Sequence, residues 1–205
     1  YALEEGLLVG ISTYATREKI KDGSLELLID LARKLGVHEV SIFDPVPTGR
    51  LLGSEDVLLT ENERAELMKM QQSCNEMDGH TRVSAQSMQC SPVAFYALGC
   101  FSGTNQAYVT AFGDVNPCDF TPLTFGNIRE EPFEKIWWKI REHPAYRNKT
   151  MRCKMQNPSF REKYIHKIPE QMGLPCPISC IDSNDQEEGR TASSLTALIS
   201  AQRLK

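Results

Sequence analysis

Gly99-Cys100-Phe101-Ser102-Gly103, followed by Tyr108-Val109-Thr110-Ala111-Phe112-Gly113-Asp114-Val115-Asn116-Pro117-Cys118, sets two cysteines on either side of one turn. Ala107 to Thr110 and Val115 to Cys118 are short β-prone runs around Phe112-Gly113-Asp114, the pattern of a β-hairpin. A glycine at the turn lets the second strand fold back, so cysteines far apart in sequence can meet near one end of the hairpin. Two thiolates facing one point hold a metal weakly; a tetrahedral four-sulfur site, zinc or an iron–sulfur cluster, needs two more. Cys153 and the Cys176-x3-Cys180 pair are the candidates, with Cys90 in reserve. The set lacks the tight CxxC pair that a zinc ribbon shows.

The rest of the composition narrows the setting. A length of 205 residues makes one ordinary domain or two small ones, and 40% hydrophobic with 24% charged residues excludes wholesale disorder. Lys+Arg 23 against Asp+Glu 27 gives a net charge of -4, which offers no basic footprint for nucleic acid or an anionic membrane surface. The longest clearly apolar stretch, Leu7 to Ile11, is far below the ~20 residues of a transmembrane helix. The chain opens Tyr-Ala-Leu-Glu-Glu, without an initiator Met or a visible signal peptide, and reads as an internal stretch of something longer. Seven cysteines is an odd number, which argues against a closed disulfide framework and for metal ligation in a reducing, cytoplasmic compartment. The plainer use of such residues is as buried small hydrophobes.

Residues 1–53 read as strand, helix, strand. Leu7-Leu8-Val9-Gly10-Ile11 is a continuous apolar run. Leu25, Leu28, Ile29, Leu31, Ala32 and Leu35 follow at near-helical spacing, and Gly36 stands at a helix stop. Glu39 to Phe43 is a second strand ended by Pro45 and Pro47, completing a right-handed parallel βαβ unit. Thr60 and Glu63 form a capping box opening a helix to about Met77, and Thr81 to Ala85 is a further strand candidate. Phe133, Ile136, Trp137 and Ile140 make one apolar helix face after Pro132. A last helix is expected over 159–168, with Phe160, Tyr164, Ile165 and Ile168 inward; beyond Asp182 the chain is polar and expected to be mobile. The four histidines are scattered, and the glycines fit neither phosphate-binding spacing.

Four words in order sharpen the hairpin reading: GC-x-x-G at 99–103, GDV-x-PC at 113–118, Gly126-Asn127-Ile128-Arg129-Glu130, and Ile136-Trp137. Together they closely resemble the SPASM/twitch domain of radical S-adenosylmethionine enzymes over residues 98–153. The resemblance implies an auxiliary [4Fe–4S] cluster, held by Cys100, Cys118, Cys153 and Cys176, with Cys90 or Cys180 as alternative ligands. The family's middle block, CxxC-x5-C-x3-C, is reduced here to Cys153, so one auxiliary cluster is expected instead of two. The front segment, ending in Pro45-Val46-Pro47-Thr48-Gly49-Arg50, looks like the fifth and sixth strands of the family's partial (β/α)6 barrel and is similar to cofactor- and haem-pathway members.

The implied fold class is α/β: the last part of a partial barrel (1–88), an α+β SPASM/twitch domain (89–181) and a polar tail (182–205). By the same resemblance Ser12, expected at the C-terminal end of the first strand, would approach the S-adenosylmethionine ribose, and Val46 the adenine. The family's catalytic CxxxCxxC does not occur in these residues, so the chain is expected to be a C-terminal fragment without turnover of its own. The whole enzyme would use a 5′-deoxyadenosyl radical to modify a peptide or a small-molecule cofactor precursor, supplied with electrons by a ferredoxin or flavodoxin. The alternative is a non-catalytic zinc or iron–sulfur scaffold that binds a partner or peptide.

Overall fold

β1 (Gly10–Tyr14), β2 (Glu39–Phe43) and β3 (Arg82–Ala85) pair in parallel in the order β1-β2-β3, with Gly10 opposite Glu39 and Glu39 opposite Arg82. Parallel neighbours need a crossover, and helices supply it. α1 (Arg17–Lys21) and α2 (Ser24–Leu35) join β1 to β2, and α3 (Glu61–Glu76) joins β2 to β3. A short α4 (Gln86–Gln89) follows. These details come from a computed structural model of the protein, which describes residues 1–76, 81–92 and 97–183. The chain divides into two units, Tyr1–Cys100 with Lys149–Asn157, and Phe101–Asn148 with Pro158–Lys205.

In the first unit Leu25, Ile29 and Ala32 of α2 and Leu67 of α3 pack with Val40, Ile42 and Val83 of the sheet. Gly36 closes α2 with φ 74°, its N–H on Ala32 and Arg33 carbonyls, as its place in the sequence predicts. The capping box forms in both directions: Thr60 Oγ1 accepts from Glu63 N–H at 3.3 Å, and Glu63 Oε2 accepts from Thr60 N–H at 2.8 Å. Thr81-Ala85, read as a further strand, joins the sheet and makes it three-stranded.

The first strand lies three residues later than the apolar run suggests. Ladder pairing begins at Gly10, because β2 starts at Glu39 and His38 takes Val9 N–H on its Nδ1. Leu7 and Leu8 are left exposed. On α2, Leu31 and Leu35 also face outward, since Leu25, Ile29 and Ala32 already fill the sheet side.

The two edges of this sheet differ. Asn75 reaches from α3 to β3, donating to Val83 C=O at 2.8 Å and accepting Val83 N–H at 2.9 Å. Gln71 Oε1 accepts Ala85 N–H beside it. Side chains thus take the place of a further strand on β3, whereas no described side chain does so along the outer edge of β1.

The second unit holds the hairpin expected around Gly113: β4 (Tyr108–Val109) pairs antiparallel with β5 (Val115–Asn116). β6 (Leu123–Thr124) pairs in parallel with β7 (Cys176–Pro177). Ile136 and Ile140 of α5 (Phe133–Glu142) are fully buried, but Phe133 faces outward, stacked on half-buried Trp137. The expected four-residue face is therefore two residues wide. The 159–168 helix is a short α6 (Pro158–Phe160) running into a π turn over Arg161–Ile165, with Phe160, Tyr164 and Ile165 inward and Ile168 half-buried. The polar tail lies outside the described residues beyond 183, as do Met77 and His80.

Gly103 sits at φ 62°, and a Cβ there would stand 2.7 Å from Ile140 Cγ2 and 2.9 Å from Tyr146 Cβ. Gly103→Ala is expected to cost the second unit about 2–4 kcal/mol, from the left-handed backbone and the overpacking together. Both tryptophans lie on α5, so tryptophan fluorescence during denaturant unfolding reads that unit. Thr60→Ala removes the cap of α3 and is expected to cost ~1 kcal/mol, measured by far-ultraviolet circular dichroism during unfolding.

Candidate metal centre

Pro117 ends β5, and the chain turns at once: Thr121 N–H donates to Cys118 C=O at 3.2 Å. Asn116 pins the turn by donating from Nδ2 to Thr121 C=O. Inside it the Cys118 sulfur lies 3.2 Å from Thr121 Oγ1, with the Phe120 backbone and the Ser102 side chain as further polar neighbours. Burial pushes the Cys118 thiol pKa up, and those three hydrogen-bonding groups pull against it. Ser102 Oγ is buried and completes no ordinary hydrogen bond among the described residues.

The next residue after this turn, Pro122, accepts the N–H of Cys176 at 2.9 Å, so the β6–β7 ladder lays the Cys176 segment beside the Cys118 turn. Cys176 is fully buried. Its pKa is pushed up to about 11, by burial first and then by the neighbouring Cys180 thiol. Its S–H points to Pro177 C=O at 3.5 Å.

The other cysteines belong to the first unit. Gly99 N–H bonds to Gln89 C=O and Cys100 N–H to Thr150 C=O, which gathers the segments bearing Cys90, Cys100 and Cys153. Cys90 is pushed up to about 11 by burial and then by the Cys100 thiol and Asp44, against the pull of Arg64 and Lys149. Lys154 is buried next to Cys153; burial lowers its pKa, and the Cys100 and Cys153 thiols work the other way. Asp44, buried at the end of β2, accepts from Ser87 Oγ at 2.6 Å, and burial raises its pKa.

The candidates thus fall into two local groups, Cys100 and Cys153 with Cys90, and Cys118 and Cys176 with Cys180. Among the described residues, no three His, Cys, Asp or Glu side chains already form a metal-holding group. Ser12 is exposed in the middle of β1, opposite Ser41, and not at the strand's end, because β1 runs on to Tyr14. Val46 is buried in the loop after β2. A cavity of about 130 Å³ beside Cys90 is lined by Arg64, Ser87 and Arg152, and is smaller than the ~300–1,000 Å³ of ordinary ligand pockets. Sequence reading missed Ser102, Thr121 and Lys154, whose only signal is a hydroxyl or amine within three residues of a cysteine.

The residue types suit thiolate ligation, since none of the seven cysteines forms a disulfide and four of the six named candidates are buried. A cation must displace protons from the raised thiols. Where no metal is bound, Cys90 and Cys176 keep their protons in the folded chain while the unfolded chain loses them. Their stabilisation is full below about pH 9 and lost as pH rises towards 11. Denaturation midpoints of the metal-free chain are expected to fall across that window, and to fall less in a Cys90→Ala/Cys176→Ala variant.

Residues 100–170 match the SPASM family, described as an iron–sulfur cluster-binding domain. The chain is 26% identical over 166 residues to the AdoMet-dependent heme synthase of Nitratidesulfovibrio vulgaris, covering 72% of this chain and 45% of that protein. It is 28% identical over 144 residues to the AdoMet-dependent heme synthase of Methanosarcina barkeri, covering 62% and 41%. A third, from Oleidesulfovibrio alaskensis, is 25% identical over 182 residues, covering 75% and 46%. The chain spans less than half the length of these relatives. No helix among the described residues is long and apolar enough to cross a membrane. Residues 100–170 are thus similar to the SPASM iron–sulfur cluster-binding domain, in a chain similar to part of three proteins named AdoMet-dependent heme synthase.

Proposed function

We propose that this chain is the part of a radical S-adenosylmethionine enzyme that holds an auxiliary [4Fe–4S] cluster near the substrate. The observation that carries the reading is the Cys118 sulfur, buried inside the matched segment with Thr121 Oγ1 3.2 Å away. Cys100, Cys118, Cys153 and Cys176 would be the ligands, with Cys90 or Cys180 replacing one of them. A bound cluster would supply single-electron transfer. The chain's own residues hold the sulfurs, exclude water by burial, and present hydrogen bonds to them. Residues 1–88 would be the last part of the partial barrel and 89–181 the cluster domain. The edge asymmetry supports this: β3 is closed by Asn75 and Gln71, while β1 is open to a further parallel strand. Ser12 and Val46 would then lie towards S-adenosylmethionine.

The substrate would be a cofactor precursor of haem type, a reading supported by the names of the three relatives and favoured over a peptide. A ferredoxin or flavodoxin would supply electrons, in a reducing cytoplasm. Anaerobic reconstitution with iron and sulfide is expected to load ~4 irons per chain with a broad visible band. Cys118→Ala is expected to lose both. Zinc near one per chain without iron would point to the non-catalytic scaffold, and no bound metal would overturn the site.

A further inference from the structure

The carboxyl ends of β2 and β3 meet in a buried polar network that leaves hydrogen bonds unmade. Asp44, directly after β2, receives Ser87 Oγ on its Oδ1 at 2.6 Å, and its N–H donates to Gln86 Oε1 at 3.1 Å. Asp44 Oδ2 completes no hydrogen bond among the described residues, although the side chain is 1% exposed. Arg64 of α3 faces it, with Nη1 3.7 Å from that oxygen. The Arg64 side chain is itself nine-tenths buried, and its hydrogen bonds are long: Nε to Leu59 C=O at 3.4 Å, and Nη1 to Gln156 Oε1 at 3.3 Å. Nη2 makes none among the described residues. A buried guanidinium needs partners for its donors to offset the water it has lost, and here the N–H groups of Nη2 are unspent. Arg64 borders the cavity of about 130 Å³, beside Ala65, Ser87 and Arg152. Arg152 is already held by both carboxylate oxygens of Glu61, and Asp44 is not part of the cavity wall. Arg64 is thus the cation on this wall with donors left to offer.

We propose that this cavity is a subsite for one carboxylate of a small-molecule acid, with Arg64 as the residue that binds it. The inference goes beyond the proposed function and needs no cluster. The place fits, since ligands of parallel α/β sheets bind outside the carboxyl ends of the strands. The size fits as well: the cavity has room for a few waters at ~30 Å³ each, hence for a carboxylate on a short carbon arm while the body of the ligand stays outside. A carboxylate presents two coplanar oxygens, which match the planar fork of a guanidinium. The Asp44 carboxyl on the Nη1 side limits how much negative charge the site accepts, which favours a carboxylate over the more highly charged phosphate. Ser87 and Gln86 fix Asp44, and Asp44 and Gln156 face Nη1, so the guanidinium is set in place before a ligand arrives. These four are positioning residues; Arg64 alone makes the contact.

The test titrates propionate, a carboxylate on a short carbon arm, into the reduced, metal-free 205-residue chain and follows it by saturation-transfer NMR. Saturable binding in the millimolar range is expected of so small a fragment. Arg64→Lys keeps the charge but loses the planar fork, and is expected to weaken binding about tenfold. Ala65→Met keeps Arg64 and fills the cavity, and is expected to abolish binding. Inorganic phosphate at the same concentration should leave the propionate signal in place. Circular dichroism reports whether each variant folds. Should Arg64→Lys unfold, Ala65→Met decides, and the phosphate competition needs no variant at all. A wild-type chain without saturable binding, folded variants that bind as the wild type does, or displacement of propionate by phosphate each overturns the inference, and the cavity then holds water or ions without preference.

Discussion

The backbone hydrogen bond from Cys100 N–H to Thr150 C=O, at 2.8 Å, closes a loop of about fifty residues and determines which segments can share an environment. It is possible because Gly99 precedes it: at φ 74°, a Cβ there would stand 2.8 Å from the same Thr150 carbonyl. Through this bond residues 149–157 return to the first unit after the chain has made the hairpin and α5 in the second. The returning segment carries Cys153, Lys154 and Gln156. Gln156 then ties into the end of β2, donating to Pro45 C=O and accepting from Arg64 Nη1. Arg152 makes a bidentate pair with Glu61 at the start of α3. A short segment far along the chain is thus fixed at both faces of the loop that follows β2.

The second unit relies on aromatic packing where the first uses aliphatic residues. Phe125, Tyr146 and Phe160 meet edge to face, with centroids 5.5 and 5.7 Å apart. Tyr146 also closes on Gly103, which holds the Ser102 backbone in place. His143 at the end of α5 accepts Ala145 N–H on Nδ1, so Nε2 carries the proton towards Asp182 and anchors the helical turn that bears Cys180. The short strands around the Cys118 turn could not persist alone; their order comes from this packing.

Local rules were legible and distant ones were not. The Thr60–Glu63 box, the Gly36 helix stop and the Gly113 hairpin each depend on residues within four positions, and the structure shows all three. The start of β1 depends on where β2 begins, nearly thirty residues away, and the apolar run at Leu7 misplaced it. The outward turn of Phe133 and Leu31 likewise depends on which neighbours fill the core first. At the candidate site the cysteines were readable because thiol chemistry is rare. Their grouping was not, since Cys100 and Cys118 flank one hairpin in sequence yet fall in different units once residues 149–157 return to Cys100. Thr121 is a residue type too common to signal anything until its 3.2 Å distance to the Cys118 sulfur is known.

The thiols differ in how much each must change to ligate a metal. Cys176 donates its S–H to Pro177 C=O and has Cys180 beside it, so ionising it removes a hydrogen bond and adds charge near a second thiol. Cys90 is raised by burial, with Cys100 and Asp44 adding to the effect. Both must lose a proton that the metal-free fold holds tightly. Cys118 is raised by burial first, with Thr121, Ser102 and Phe120 pulling against it and Asp119 adding to the rise. The metal-free fold therefore favours the protonated form of all three thiols, with polar neighbours opposing that preference most at Cys118. A metal ligated by any of them displaces a proton, so its affinity rises with pH through each thiol it binds.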